Sequence, residues 1–566
     1  NKMLWQSIPP PETTNVQQLS LQLNVPQEIA YLLVQRGITS FDQAKKFFRP
    51  AWEDLHSPFL MQDMKKAVER IAHAIEIEES VMVFGDYDVD GTTAVALMTS
   101  YLKSHLDHVV PYIPDRYKEG YGISIAGIDY AKSDGISLII ALDCGIKAHE
   151  QIEYADRKGI DFIICDHHLP DDELPKAVAV LDPKRADCKY PFKELCGCGI
   201  GFKLIQALNQ YFELADSDLT PYLDLVATAI AADIVPMTGE NRLLSYLGIK
   251  QMRQSPRPGL QFFISSLNKP VSVSDLVFVI APRINAAGRM NQGISAVELL
   301  LSRDQEEALP LVRSIEFSNT ERRSTDERIT KEALQQIELD EAQYNSSTVV
   351  YHPSWHKGVI GIVASRLIEK YYRPTVVITK SETLLAGSVR SVNGFDVYQA
   401  LEACKDQMIQ FGGHKYAAGL TMKEEQLGAF KEAFEHAVES QILDSQLKPV
   451  LRYDVELKFD VITPKLYRIL AQMAPFGPKN MKPVFVTHNC IDKGGSRLVG
   501  NDKNHLKLQI IDSTGTVMQA IGFGLGEHYS KIKKRYSFSI LYTLDESKFN
   551  YIKSLQLVVK DIQFKA

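Results

Sequence analysis

Val81-Met82-Val83-Phe84-Gly85-Asp86-Tyr87-Asp88-Val89-Asp90-Gly91 is the stretch on which the reading of the chain turns. Its four leading apolar residues predict a buried parallel strand, and Thr92-Thr93-Ala94-Val95-Ala96-Leu97 predicts the opening of a helix directly after it. The carboxylates therefore fall at the strand's carboxyl end. On extended backbone Asp86, Asp88 and Asp90, spaced two apart, project to one side. Anions held that close raise one another's pKa unless a cation lies between them, and a hard divalent metal is the simplest counterion. An EF-hand loop also opens D-x-D-x-D-G, but its twelfth position needs Glu and falls here on Leu97. A phosphate-binding P-loop needs a Lys that does not follow Gly91. A merely solvated acidic turn sits badly behind so apolar a strand.

Working outward, strand-like apolar runs recur at 81–84, 109–113, 138–142, 161–165 and 178–181, with helix-compatible stretches between them. That alternation predicts a doubly wound α/β domain, whose site lies beyond the carboxyl ends of the strands. Two of those ends carry chemistry: Ile139-Ile140-Ala141-Leu142 runs into Asp143-Cys144-Gly145, and Phe162-Ile163-Ile164-Cys165 runs into Asp166-His167-His168. Asp233 follows the apolar helix 223–232. One Asp at a strand end is commonplace, whereas four elements each delivering Asp or His to one edge point to a built site. Carboxylate and imidazole ligands without thiolate suit Mn²⁺ or Mg²⁺ better than zinc. Cys188, Cys196 and Cys198 form the one cysteine cluster, and neither their spacing nor their number fits structural zinc.

The seven cysteines are scattered, which argues against a disulfide framework. No apolar run reaches the roughly 18 residues that span a bilayer, and the N-terminus lacks the apolar core of a signal peptide, so a cytoplasmic protein with no membrane partner is expected. A chain of 566 residues predicts about three to five domains. The net charge of −7 is unevenly spread: residues 446–566 hold 19 Lys and Arg against 10 Asp and Glu, +9, leaving 44 against 60, −16, for residues 1–445. A basic tail on an acidic body suggests a nucleic-acid-binding module attached to a metal-binding one.

Residues 1–50 read as a helical cap, 51–303 as the α/β catalytic domain and 304–345 as a solvated connecting helix. In 346–445, a smaller α/β domain, Leu384–Ser391 reads as a strand presenting Ser388 and Arg390 on one face, and Phe411-Gly412-Gly413-His414 opens a glycine-rich turn that lets backbone N–H groups approach an anion. Residues 446–566 switch to alternating β character and suit an OB-like barrel of about five strands. Lys531, Lys533, Lys534 and Arg535 cluster there, with Tyr536 and Phe538 as candidate stacking partners for bases.

Taken together, Asp86-Tyr87-Asp88-Val89-Asp90-Gly91, Asp143-Cys144-Gly145, Asp166-His167-His168 and Asp233 resemble the DHH phosphoesterase superfamily. Residues 112–122 and Pro282–Arg289 resemble the substrate segments of its RecJ branch, and the likeness runs over about residues 20–566. The resemblance implies a DHH catalytic domain, a DHHA1 substrate-binding domain over 346–445 and an OB-like domain behind them. It implies 5′ to 3′ hydrolysis of single-stranded DNA by two divalent ions, Mn²⁺ or Mg²⁺, about 4 Å apart, in DNA repair and recombination. It makes Asp88, Asp90, Asp143, His167 and Asp233 metal ligands, with Asp143 the bridge. Asp143, His167, His168 and Asp86 form the catalytic set, Asp86 as an orienter of the ligands and His168 as a phosphate contact. Arg116, Arg283, Arg289, Arg366, Ser388, Arg390 and His414 become substrate contacts, because guanidinium forks match phosphate oxygens. The implied protein is a monomer, with a helicase and a single-strand-binding protein as partners. Two rival readings are a DHH phosphodiesterase of oligoribonucleotides or cyclic dinucleotides, which the basic tail and length oppose, and an inactive DNA-binding scaffold, which the intact motifs oppose.

Overall fold

Five strands carry the acidic motifs: β1 (Val81–Gly85), β2 (Val109–Tyr112), β3 (Leu138–Leu142), β4 (Asp161–Cys165) and β5 (Ala179–Leu181). All are parallel, in the order β2-β1-β3-β4-β5. β1 and β3 are buried throughout, as their unbroken apolar sequences require with helices on both faces. The strand order reverses between β1 and β3, so a crevice opens beyond their carboxyl ends. The Asp86 and Asp143 motifs follow those two strands. Gly85, Leu142, Cys165 and Leu181 are register partners across the sheet.

The structure, a computed structural model, describes residues 2–290, 292–549 and 551–565. The chain divides into two compact units. The first, mainly Ser57–Asp233 and Leu247–Val450, holds this sheet and a second one. The second sheet contains β6 (Thr348–Tyr351), β7 (Thr375–Ser381), β8 (Leu384–Arg390), β9 (Gln410–Gly413) and β10 (Ala417–Met422), in the order β9-β10-β8-β7-β6. β8 alternates, burying Leu385, Gly387 and Val389 and turning Ser388 and Arg390 to the opposite face.

Between the two sheets runs a helix of 35 residues, Gln305–Leu339, capped where the Glu307 N–H donates to Asp304. At 1.5 Å per residue it is about 50 Å long. It is not merely solvated, as its charge suggests: Val312, Ile315, Ile329, Ala333 and Ile337 form a buried stripe, and the last three join a core with the helix Ile360–Lys370.

The second unit comprises Trp5–His56, Ile234–Tyr246 and the chain from Leu451 onward. Seven strands form its sheet, and Phe485–Asp492 pairs with both Phe538–Phe549 and His505–Ile511, which closes a barrel. Its core also takes Val16, Leu19, Ile29, Leu32 and Leu33 from the helices Thr13–Leu23 and Gln27–Gln35. The N-terminal segment read as a cap thus fills the same core as the basic tail.

Candidate metal centre and anion pocket

The acidic motif does not stay extended. Gly85 ends β1, Asp88 caps the helix Val89–Lys103 by accepting the Gly91 N–H at 2.7 Å, and Asp90 lies in its first turn. The three carboxylates are therefore spread around a helix start rather than aligned along a strand. Asp90 accepts from the backbone N–H groups of Gly197 (2.8 Å) and Cys198 (2.7 Å), at the start of the helix Gly197–Tyr211. Gly197 must lack a side chain, because a Cβ there would lie 2.6 Å from that of Asp143. This Cys196–Cys198 segment is thus part of the site as a helix N-terminus, a role that cysteine spacing hides.

Asp143 follows β3 with a φ of 61°, strained for a non-glycine residue. Both its carboxylate oxygens are buried and lack a hydrogen-bond partner, as do Asp86 Oδ2 and His167 Nε2. These orphans face one another: His167 Nε2 lies 2.9 Å from Asp143 Oδ1, 3.5 Å from Asp90 Oδ2 and 3.6 Å from Asp233 Oδ2, and the closest of these lacks hydrogen-bond geometry. Asp90, His167 and Asp233 gather one set of ligand atoms within 4.8 Å, and Asp86, Asp88 and Asp143 gather another. Asp143 also joins a third set with Asp166, His167 and His168, and so adjoins the first set through His167. Asp86 thus offers a ligand atom to the second of these sets.

Burial, and then neighbouring carboxylates, push these acids up: Asp88 to about 6 and Asp233 to about 8, in both cases with Asp90 as the next cause. Asp86 and Asp143 move the same way, for burial first and then for Asp88 and Asp90 respectively. Burial lowers His167, leaving a neutral imidazole. A set of oxygens and one neutral nitrogen that cannot all ionise side by side fits divalent cations. The nearby thiols of Cys144, Cys196 and Cys198 are pushed up by burial, so the donor set is hard.

Asp166, left without a role in the sequence reading, acts on His168. Its Oδ1 takes His168 Nδ1 at 2.6 Å and the His167 N–H at 2.8 Å, while Oδ2 takes the Ile146 N–H at 3.1 Å. Burial opposes ionisation of Asp166, yet these bonds hold it below its usual range. The same bond, against burial, pushes exposed His168 up to about 9, so His168 is a cation suited to phosphate. Asp182 follows β5 as Asp166 follows β4, completing a row of four strand-end aspartates, and its Oδ2 is also buried without a partner. The repeat is legible as Gly85-Asp86, Leu142-Asp143, Cys165-Asp166 and Leu181-Asp182.

Beside this centre lies a cavity of about 550 Å³, lined among others by Tyr87, Arg116, Arg289, Gly361, Ser388 and Arg390. Tyr87, between Asp86 and Asp88, joins the two. The Arg116 guanidinium sits 5.0 Å over the Tyr87 ring. Burial, then Arg116, pushes Arg289 down to about 10, and the same two causes lower Arg390. Among the described residues no carboxylate pairs with any of these three arginines, so their charge is free to meet an anion. Arg283 is not among them: it pairs with Glu316 and packs 5.5 Å over Phe263. Arg366 pairs with Asp326, and His414 is exposed outside the cavity lining. Glu316 and Asp326 lie far from their partners in sequence, so no local pattern announces either pair.

This fold and site define a metal-dependent phosphoesterase of the DHH type. Residues 80–230 match the family model described as DHH family, N-terminal domain, residues 344–440 the DHHA1 domain, and residues 453–561 the RecJ OB domain. The single-stranded-DNA-specific exonuclease RecJ of Bacillus subtilis (strain 168) is 36% identical over 566 residues, 99% of this chain and 71% of the relative. That of Escherichia coli (strain K12) is 31% identical and covers 96% of each. The crystal structure of RecJ in complex with Mn²⁺ from Thermus thermophilus superposes with a TM-score of 0.85 at 26% identity, covering 100% of this chain and 80% of that one. The chain belongs to the RecJ family.

Proposed function

We propose that this protein is an exonuclease that hydrolyses single-stranded DNA from the 5′ end, dependent on Mn²⁺ or Mg²⁺ at two positions. One observation carries the reading: the partnerless, buried carboxylate of Asp143 belongs to one ligand set and adjoins another through His167, next to a cavity of unpaired arginines. Asp90, His167 and Asp233 would hold one ion and Asp86 and Asp88 the other, with Asp143 shared. When bound, the ions supply activation of an attacking water and neutralisation of the leaving 3′ oxygen.

The chain's own groups do the rest. Asp166 fixes His168 through Nδ1, which leaves the charged Nε2–H to donate to a phosphate oxygen. Arg116, Arg289 and Arg390, with Ser388, seat the 5′-terminal phosphate. Three unpaired guanidiniums suit a terminal monoester better than an internal diester, because the monoester carries about one more negative charge. Anchoring the terminus beside the acidic centre presents the first diester for cleavage and gives the 5′ polarity.

The basic unit supplies affinity for longer strands. Phe538 is buried in its core, so it does not stack on bases, whereas Tyr536 and Phe523 are 56% and 61% exposed. Arg497 and Lys507 are exposed register partners on neighbouring strands, a like-charge pair that an added polyanion relieves. Strand separation must precede such an activity, so a helicase and a single-strand-binding protein are the proposed partners, and a monomer in the cytoplasm is the proposed setting. Among the described residues no helix is long and apolar enough to cross a membrane.

The test is cleavage of 5′- and 3′-labelled DNA and RNA strands and of blunt duplex, with Mn²⁺ and after chelation. Mononucleotide release from the 5′ end of single-stranded DNA, lost on chelation, is expected. Degradation from the 3′ end or equal rates on duplex would overturn the reading.

A further inference from the structure

Asp326 stands midway along the helix Gln305–Leu339 with its side chain wholly buried, an unusual place for a carboxylate. Its Oδ2 accepts from Arg322 Nη1 at 3.0 Å, one turn back on the same helix, and Arg322 Nη2 donates to Asn319 Oδ1 at 2.7 Å. Its Oδ1 lies 3.0 Å from Nε of Arg366 on the helix Ile360–Lys370, a charge pair that lacks hydrogen-bond geometry and leaves that oxygen to be held by charge alone. One buried carboxylate thus holds two guanidiniums, one from each helix.

The second of those helices begins at the anion pocket. Gly361, in its first turn, packs so tightly that a Cβ would lie 2.6 Å from Arg390 Nη2 and 3.0 Å from Ser388 Oγ. Just ahead of it, the Gly358 carbonyl accepts from Arg289 Nη1 at 2.8 Å. The helix start is therefore pinned at its tip by Arg289 and along its flank by Asp326. Without the carboxylate, Arg322 and Arg366 repel one another across the two helices, an effect already visible in the lowering of Arg322, where burial comes first and Arg366 opposes Asp326. A hydrophobic seam alone resists sliding of packed helices weakly, whereas a charge pair anchored on a buried carboxylate favours one register.

We propose that Asp326 is a positioning residue of the anion pocket: by clamping Arg322 and Arg366 together it holds the start of the helix Ile360–Lys370 against Ser388 and Arg390, and so sets how tightly the 5′-terminal phosphate is gripped. Arg366 is then a strut rather than a phosphate contact. The inference rests on the assignment of that pocket to the 5′-terminal phosphate.

The experiment uses the full chain with saturating Mn²⁺ and single strands bearing either a 5′-phosphate or a 5′-hydroxyl. For Asp326→Asn, KM on the phosphorylated strand is expected to rise about five- to twentyfold with kcat within about twofold, so that the preference for 5′-phosphate shrinks. Asp326→Glu restores part of that preference. Arg366→Met, at the more exposed partner, does the same as Asp326→Asn if the latter folds poorly, and the double variant is no worse than either single one. Equal loss on both strands, a lowered melting midpoint with unchanged preference, or additive effects in the double variant would overturn the proposal. Arg390→Ala is measured alongside: if it leaves the preference intact, the pocket assignment itself falls, whereas a collapse with Arg390→Ala and none with Asp326→Asn removes only the role of Asp326.

Discussion

The metal centre and the anion pocket lie side by side yet are built in opposite ways. The centre takes its acids from the ends of consecutive parallel strands and the helices that follow them, elements fixed by backbone hydrogen bonds. The pocket takes Arg116 from a loop, Arg289 from the helix Ala281–Met290 and Arg390 from β8 of another sheet. The difference teaches where each kind of precision is needed. On the proposed reading, bond breaking tolerates little displacement and falls on a rigid edge, whereas gripping a terminus depends on how separate elements are braced against one another.

The largest expected effect breaks the rigid side. Asp143→Asn should reduce turnover on the order of 10³-fold or more, because both oxygens of this carboxylate are buried among the proposed ligands, and a steady-state assay with the same Mn²⁺ checks it. On the pocket side, Arg390→Ala should cut the preference for 5′-phosphorylated strands by about tenfold to a hundredfold, the worth of one charged hydrogen-bonded contact. Competition between the two strand types in one reaction reads that ratio. Asp166→Asn sharpens the contrast, since it replaces none of the proposed ligands and keeps an acceptor for the His167 N–H but removes the charge that holds His168 protonated. A loss of about tenfold to a hundredfold in kcat with metal uptake unchanged is expected, followed by metal titration calorimetry and single-turnover rates.

Smaller effects are expected in the second unit. Because the N-terminal helices fill the core of the basic unit, removing residues beyond about 445 would strip those helices of their partner, and charge substitutions are the cleaner test. Arg497→Gln with Lys507→Gln should weaken binding of long single strands several-fold and lower the salt slope by about one to two, with cleavage of short strands unchanged.

The smallest effect is one of stability. The Asp88 and Asp233 carboxyls rise from 3.8 to about 6 and about 8 in the folded, metal-free protein, so between those values the folded state binds more protons than the unfolded one. Stability of the metal-free protein therefore falls as pH rises through that window, and added Mn²⁺ reverses the trend. Denaturant melts at about pH 5 and about pH 8, with and without metal, measure it.

How far the sequence discloses each region follows from the same contrast. The strands at 81, 138 and 161 and their terminal acids are legible because each is a local pattern, an apolar run ending in Asp. Asp88 and Asp90 are misread as points on a strand because capping, rather than extension, decides their direction. Arg283 and Arg366 look like Arg116 in sequence, and only tertiary contact distinguishes a guanidinium already matched by Glu316 or Asp326 from one left open. Phe538 follows a basic cluster and reads as exposed, but the barrel turns it inward.

Since Gly85, Leu142, Cys165 and Leu181 are hydrogen-bonded neighbours at one level, the four aspartates after them behave as teeth on a single comb. Deleting one residue within any of these strands would shift its tooth by about 3.3 Å and turn it to the other face. Lengthening a connection between strands moves no tooth. Insertions in relatives are therefore expected to fall between the strands and to leave the apolar runs before each Asp uncut.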